Sequence, residues 1–275
     1  MPLYETGCWR LWSAVQPVGG AENGLSRRAT IPSPYGLKII ESCLTCPVRR
    51  ERLLCNLSPD ALRALDEITT PITYPKGAVL FVEGQPARGV YILCCGRVKL
   101  TVCSEDGNTI ILRISDPGDV VGLPGTISGT PYELTAEVLE PAQVNFIARD
   151  LFLRFLSSHG EVAVAVAKLL SEICHRTYHE VRSLGLGRSA SQKLSRFLLD
   201  WSARPRQAPT NGQVTLTLTQ EEIAQSIGTS RETVTRLFTM LKHAKIIQRK
   251  GSSLTICDRD ALASMAENPL REVIR

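Results

Sequence analysis

The first 158 residues hold no histidine; the four imidazoles are His159, His175, His179 and His243. A domain built from that stretch lacks the side chain most used as a metal ligand and general base. No apolar run approaches the ~20 residues that a membrane-spanning helix needs. The N-terminus shows no Lys/Arg-then-apolar pattern of a secretory leader, so a cytoplasmic protein without a membrane partner is expected. No nucleophile–base pair and no phosphate-cradling Gly-rich loop is legible. Neither Lys nor Arg occurs from Ile114 to Ala148. These absences argue against an enzyme. In a cytoplasmic chain the nine cysteines read as thiols, metal ligands or redox sensors rather than structural disulfides.

What is present is unevenly placed. The chain has 275 residues, long enough for two domains, and a net charge of +5. From Arg188 onward there are 14 Lys and Arg against 8 Asp and Glu, whereas the preceding 187 residues hold 18 and 19. The basic excess therefore sits in the C-terminal part, as phosphate binding requires.

That part contains Leu218 to Phe238, LTQEEIAQSIGTSRETVTRLF. Thr219 with Glu222 and Thr229 with Glu232 read as two capping boxes, each opening a helix. Ile223, Ala224 and Ile227, then Val234, Leu237, Phe238 and Leu241, give each helix one buried face, with a tight turn at Gly228 between them. The second helix presents Arg231, Glu232 and Arg236 near its N-terminus, the end that enters a DNA major groove. Ile246 to Cys257 reads as two short strands around Lys250-Gly251, a wing. Double-stranded DNA is the expected partner.

Along the rest of the chain, residues 1–37 read as a flexible tail and 38–58 as a segment carrying Cys43, Cys46 and Cys55. Ser58-Pro59 opens a short helix. From 71 to 157 short apolar runs are broken by turn signals about ten residues apart, among them Cys95-Gly96, Pro117-Gly118-Asp119 and Glu140-Pro141. This spacing predicts an all-β barrel or sandwich, and a sensor domain over 59–157. Asp106-Gly107 reads as a hairpin turn. Residues 158–186 read as a helix whose Val162, Val166, Leu169, Ile173, Thr177 and Leu184, with Glu180 between the last two, recur at steps of three and four, a coiled-coil-like stripe. A palindromic DNA site requires a two-fold dimer, so these residues are the expected homodimer interface. Residues 187–275 read as the winged helix-turn-helix domain, in which a helix over Ala190 to Trp201 and a Pro-rich loop over Ala203 to Gly212 come before the first strand.

The order of these parts, with SRETVTR at Ser230 to Arg236 and the turns Lys76-Gly77, Glu83-Gly84, Gly96-Arg97-Val98-Lys99 and Pro117-Gly118-Asp119, resembles the Crp/Fnr family of bacterial transcription regulators over about residues 40 to 265. The resemblance implies an α+β chain: an N-terminal antiparallel β-roll of the cyclic-nucleotide-binding, cupin-like jelly-roll type, a long dimerisation helix and a C-terminal winged helix-turn-helix. It implies that Arg231, Glu232 and Arg236 read bases in a half-site with a GTGA-like core. Thr219, Ser230, Thr233 and Lys250 would meet the DNA backbone, and RNA polymerase is the implied protein partner.

The signal is less plain. The family's cyclic-nucleotide branch uses a Glu and an Arg in the roll; the matching positions here are Leu123 and the stretch Glu133 to Thr135. A buried phosphate would lack its cation, which argues against a cyclic nucleotide. Cys43-x2-Cys46 with Cys55 resembles the cysteine group of the oxygen-sensing branch and implies an iron–sulfur cluster as the cofactor. The third spacing is longer than in that branch. The position of its fourth ligand is Asn145, so Cys94, Cys95 or Cys103 would have to substitute. A thiol switch, zinc, or plain packing of small residues are the other readings. His175 and His179 could hold a metal on one helix face, but Arg176 and Tyr178 beside them favour a solvated face or a packed interface. The rival classes are a small-ligand-binding regulatory module and a cupin-like enzyme; the latter would need His ligands the roll does not have.

Overall fold

A computed structural model describes residues 34–46, 49–104, 107–185, 189–204 and 213–267. The expectations for most of the tail, for Asp106 at the hairpin turn, for Leu186 and Gly187 and for most of the Pro-rich loop lie outside the described residues. These residues fall into two units. One runs up to Thr109 and resumes over Ile114–Val166; the other takes Ile110–Arg113 and the residues from Ala167 on. Among the described residues no helix is long and apolar enough to cross a membrane.

The described part of the first unit opens with three short 3-10 turns, the second and third (Cys43–Thr45 and Arg49–Glu51) in the cysteine segment, then α1 (Pro59–Ile68). The Ser58 hydroxyl caps α1 and Pro59 sits in its first turn. Six strands follow: β1 (Thr70–Tyr74), β2 (Val79–Phe81), β3 (Gly89–Cys103), β4 (Thr109–Ser115), β5 (Val120–Val121) and β6 (Thr135–Ala148). They form one sheet in the order β1-β6-β3-β4, with β2 also on β6 and β5 on β3. Phe81, Tyr91, Leu93, Val98, Leu100, Val138 and Val144 fill its interior.

Two turn signals of the sequence prove to be bends inside long strands. Cys95-Gly96 lies within β3 and Glu140-Pro141 within β6, where the pairing register shifts. Gly96 has φ +81, and a Cβ there would stand 2.2 Å from the Pro141 carbonyl oxygen. The two signals mark one site where paired strands bulge and curl together. Two helices are additional to the all-β expectation for this stretch: α2 (Leu123–Ser128) and α3 (Arg149–Ser158). Left-handed glycines, Gly122 and Gly129, bound α2. Phe152 and Phe155 bury one face of α3.

The long helix, α4, runs Gly160–Gly185. Here the expected dimer stripe needs correction. Val162 is fully buried and Val166 is 3% exposed within the single chain, so these two side chains belong to the first unit's own core and are unavailable to a second copy. Leu169 and Ile173 are half-buried and Thr177 is exposed; the Leu184 side chain lies outside the described residues. Val164, Ala167, Cys174 and Tyr178 are among the residues that α4 exposes.

The second unit holds α5 (Ala190–Ser202), β7 (Gln213–Thr215), α6 (Gln220–Ile227), α7 (Arg231–His243), β8 (Ile247–Lys250), β9 (Ser253–Ile256) and α8 (Arg259–Glu267), with a three-stranded sheet in the order β7-β9-β8. The expected wing is β8 and β9. Ser189 and Gln192 close a capping box on α5. Buried Leu194, Leu198, Trp201, Phe238, Leu262 and Met265 make the core, and the Trp201 indole donates to the Thr215 carbonyl at 3.0 Å.

Candidate nucleic-acid interface and cysteine site

The helix pair α6 and α7 is set by its caps. Thr219 and Glu222 form the expected reciprocal box. The turn depends on Gly228 at φ +63, where a side chain would meet no neighbour, so the demand is for the left-handed backbone rather than for space. The second start differs from expectation. The cap of α7 is Ser230, whose hydroxyl accepts from the Thr233 N–H at 3.3 Å, not Thr229. With Thr233 at the third helical position, Glu232 thereby stands one residue nearer the cap than a box partner would. Its exposed carboxyl is held below the usual carboxylate range by its own backbone N–H and the Ser230 hydroxyl, so it stays an acceptor at neutral pH.

Arg231, Glu232 and Arg236 are all exposed, and Glu232 and Arg236, four apart, share one face. Thr219, Ser230 and Thr233 use their hydroxyls in the caps, each at the start of its own helix. Two residues that spacing did not single out make the contacts between elements. Thr235 Oγ1 lies 2.7 Å from Gln220 Oε1, linking α7 to the start of α6. The Arg249 guanidinium stands 5.2 Å from the Phe238 ring centroid and donates to the Gly251 carbonyl at 3.2 Å. Lys250 is thus presented, exposed, on a wing fastened to α7.

In the first unit, α2 follows β5 and precedes β6. Leu123 is fully buried there. The Tyr132 phenol accepts from the Arg88 and Gly89 N–H groups at 3.1 and 3.2 Å, donates to the Gly89 carbonyl at 2.7 Å, and its ring stacks on Phe81 with centroids 4.0 Å apart. Of the cations bordering the Lys- and Arg-free stretch, Arg149 spends its Nε on the Thr126 carbonyl at 2.8 Å.

The cysteine segment is pinned to the outside of the same sheet. The Gln143 amide on β6 closes two bonds with the Ile40 backbone, at 2.8 and 2.7 Å. Asp66 on α1 accepts from the Ser42 hydroxyl and the Cys43 N–H, at 2.8 and 2.7 Å. Asn145 Nδ2 donates to Cys43 Sγ at 3.3 Å. Spacing alone gave no sign of Asp66 or Gln143 in this role.

Cys43, Cys46 and Cys55 fall within mutual electrostatic reach, and so does Cys94 on β3. Burial first, then Asp66, pushes the Cys43 thiol up to about 12; burial first, then Cys46, pushes Cys55 up to about 11; burial also raises Cys94. The eight described cysteines are free. As they stand, among the described residues no three or more His, Cys, Asp or Glu side chains are grouped to hold a metal ion. A single zinc needs donors converging on one point; an iron–sulfur cluster spreads its thiolates over separate irons. One further group suits an anionic cluster. Arg52, whose charge pulls on Cys55, has a buried Nε with no hydrogen-bond partner. A thiol-rich donor set beside an unsatisfied cationic donor has the chemistry to hold a polyanionic cluster.

Comparisons with known proteins follow this division. Residues 192–265 match the family described as the Crp-like helix-turn-helix domain, and residues 71–159 match the cyclic nucleotide-binding domain. The "CRP-like cAMP-activated global transcriptional regulator" of Mycobacterium tuberculosis (strain ATCC 25618 / H37Rv) is 28% identical over 218 residues, covering 79% of this chain and 97% of that protein. The "Transcriptional activator protein anr" of Pseudomonas aeruginosa is 26% identical over 232 residues, covering 83% and 93%. The solved structure of FixK2 from Bradyrhizobium japonicum superposes with a TM-score of 0.63 at 26% identity, covering 72% of this chain and 97% of that one.

Proposed function

This chain belongs to the Crp/Fnr family of bacterial transcription regulators, and from that premise we propose that it binds, as a homodimer, a palindromic promoter site whose half-sites carry a GTGA-like core. The observation that carries the reading is the exposed first turn of α7, capped by Ser230, with Arg231 and Glu232 at its tip and Arg236 on the next turn. Arg pairs bidentately with guanine, and Glu accepts from the cytosine amino group. Thr219, Ser230 and Thr233 set the helix pair against the phosphates and Lys250 reaches them from the wing. RNA polymerase is the protein partner, and the cytoplasm the setting.

The dimer forms along the outward face of α4. Val164 is 57% and Tyr178 68% exposed, with Ala167 and Cys174 between them, a spacing suited to a twin helix. The signal is sensed at the cysteine site. The donor set favours an iron–sulfur cluster over a cyclic nucleotide, because the roll interior is occupied by Phe81, Tyr91 and Tyr132. Such a cluster supplies lability toward oxygen and redox change. The chain's own residues supply the relay: Glu161, in the first turn of α4, accepts from the Ser58 N–H at 3.3 Å and from its hydroxyl, three residues after Cys55. A change at the cysteines is thereby felt at the start of the dimer helix.

The test is selection of binding sites from a randomised duplex pool, followed by anisotropy titration of wild type and Arg231→Ala. Enrichment of a palindrome and loss of about 1–3 kcal/mol of discrimination at one base pair in the variant are expected. Unchanged sequence preference in Arg231→Ala would remove that residue from the base-reading set.

A further inference from the structure

We propose that Cys94 on β3 is the fourth thiolate of the cysteine site, in place of the residue at the family's matching position, Asn145; this rests on the iron–sulfur reading of Cys43, Cys46 and Cys55. Asn145 has the right place and the wrong chemistry. Its side chain touches the Cys43 sulfur, yet the lone pair of an amide nitrogen is delocalised into its carbonyl and is not available to iron. The thiol must come from nearby, and the pairing of β3 with β6 shows from where.

Ile92 pairs with Asn145, Leu93 with Val144 and Cys95 with Gln143. Cys94 is therefore the extra residue of a bulge. Leu93 and Val144 face the roll interior, whereas Gln143 and Asn145 face outward and hold the segment from Ile40 to Cys43. Cys94 follows Ile92 by two and lies diagonally from Asn145 on that outward face, a separation of about 7–8 Å between such neighbours. The bulge places a thiol under the cysteine segment without displacing Asn145.

The other two candidates fit less well. Cys103 ends β3, nine residues further along, roughly 30 Å in an extended strand, and its sulfur lies 3.4 Å from the Thr109 hydroxyl. Cys95 adjoins Cys94 but is more open. Cys94 is 9% exposed, and Cys43, Cys55 and Cys46 all act on it. Its thiol donates to the Ile92 carbonyl across 3.7 Å, a weak bond that a metal would displace.

The experiment is anaerobic reconstitution of the full chain with ferrous iron and sulfide, followed by iron and sulfide assay and electron paramagnetic resonance of the reduced protein. Wild type, Cys94→Ser, Cys95→Ser and the double variant Cys94→Ser with Asn145→Cys are compared. Wild type should hold about four irons and four sulfides per chain. Cys94→Ser should lose most of both, Cys95→Ser should match wild type, and the double variant should recover, because its new thiol stands where the family's ligand does. Recovery separates a lost ligand from a lost fold. A fully loaded Cys94→Ser protein, or a depleted Cys95→Ser protein beside it, overturns the assignment of Cys94 and leaves the cluster reading standing. A wild-type chain that takes up no iron overturns both.

Discussion

Asn145 Nδ2 donates to Cys43 Sγ across 3.3 Å, from the middle of β6 to the first cysteine of the N-terminal segment. A hydrogen bond to a cluster sulfur withdraws charge and favours the reduced state. Replacing Asn145 by Ala removes the bond without removing a ligand. The reconstituted variant should keep wild-type iron content and bleach faster in air. Visible absorbance followed after oxygen addition checks this; loss of iron in the variant before any exposure would instead make Asn145 essential to holding the cluster.

The same residue shows what sequence reading reaches and where it stops. Asn145 is recognisable as a position because the family pattern counts residues along β6. That it meets Cys43 depends on a contact across 102 positions, which no local period records. The helix-turn-helix was legible almost residue for residue, since its caps, turn glycine and apolar faces are local. The exception, Ser230 capping in place of Thr229, arose because two hydroxyl residues stand side by side. The roll was legible as all-β, but Gly96 and Pro141 read as turns when they are facing bulges, and only the pairing of β3 with β6 tells the two apart. Val162 and Val166 carry the helical period of a dimer stripe, and that period cannot say which surface covers it.

Tyr132 closes the roll. Its phenol serves two backbone N–H groups, of Arg88 and Gly89, and donates to the Gly89 carbonyl. Tyr132→Phe keeps the stack on Phe81 and leaves the N–H groups without this acceptor, while Thr126 still donates to the Gly89 carbonyl at 2.8 Å. The expected loss is about 1–3 kcal/mol of stability, read as a lower urea midpoint with an unchanged slope. In the same assay, added cyclic AMP should leave the wild-type midpoint where it is. A rise would mean that a nucleotide displaces these aromatics and stabilises the fold by binding it.

Val164 and Val166 sit two positions apart on α4 and have opposite fates, 57% and 3% exposed. Glu at 164 puts a charge into the proposed twin contact only. It should shift sedimentation from dimer to monomer and weaken binding to a full palindrome, while the thermal midpoint of the monomer stays close to wild type. Glu at 166 buries an unpaired carboxylate and should unfold the first unit. A dimeric Val164→Glu protein would move the interface off this face.

Stability in alkali follows from the buried acids. In the metal-free chain, burial raises Cys43 to about 12 and Cys55 to about 11 from an ordinary 9.0, and raises Tyr91 and Tyr132 above an ordinary 10.0. Each folded group holds its proton after the unfolded chain has released it, so above the ordinary values the unfolded state binds fewer protons and stability falls as pH rises. Below pH 9 these groups should contribute a flat baseline. Loss should begin between pH 9 and 10 from the thiols and steepen above 10 as the tyrosines join. Tyr91→Phe should flatten the second part alone, at the cost of the phenol's bond to the Leu80 carbonyl. Denaturant midpoints across this range, with tyrosinate absorbance recorded on the same samples, would check the order; a midpoint that rises through pH 10 would mean that the two phenols are not protected by the fold.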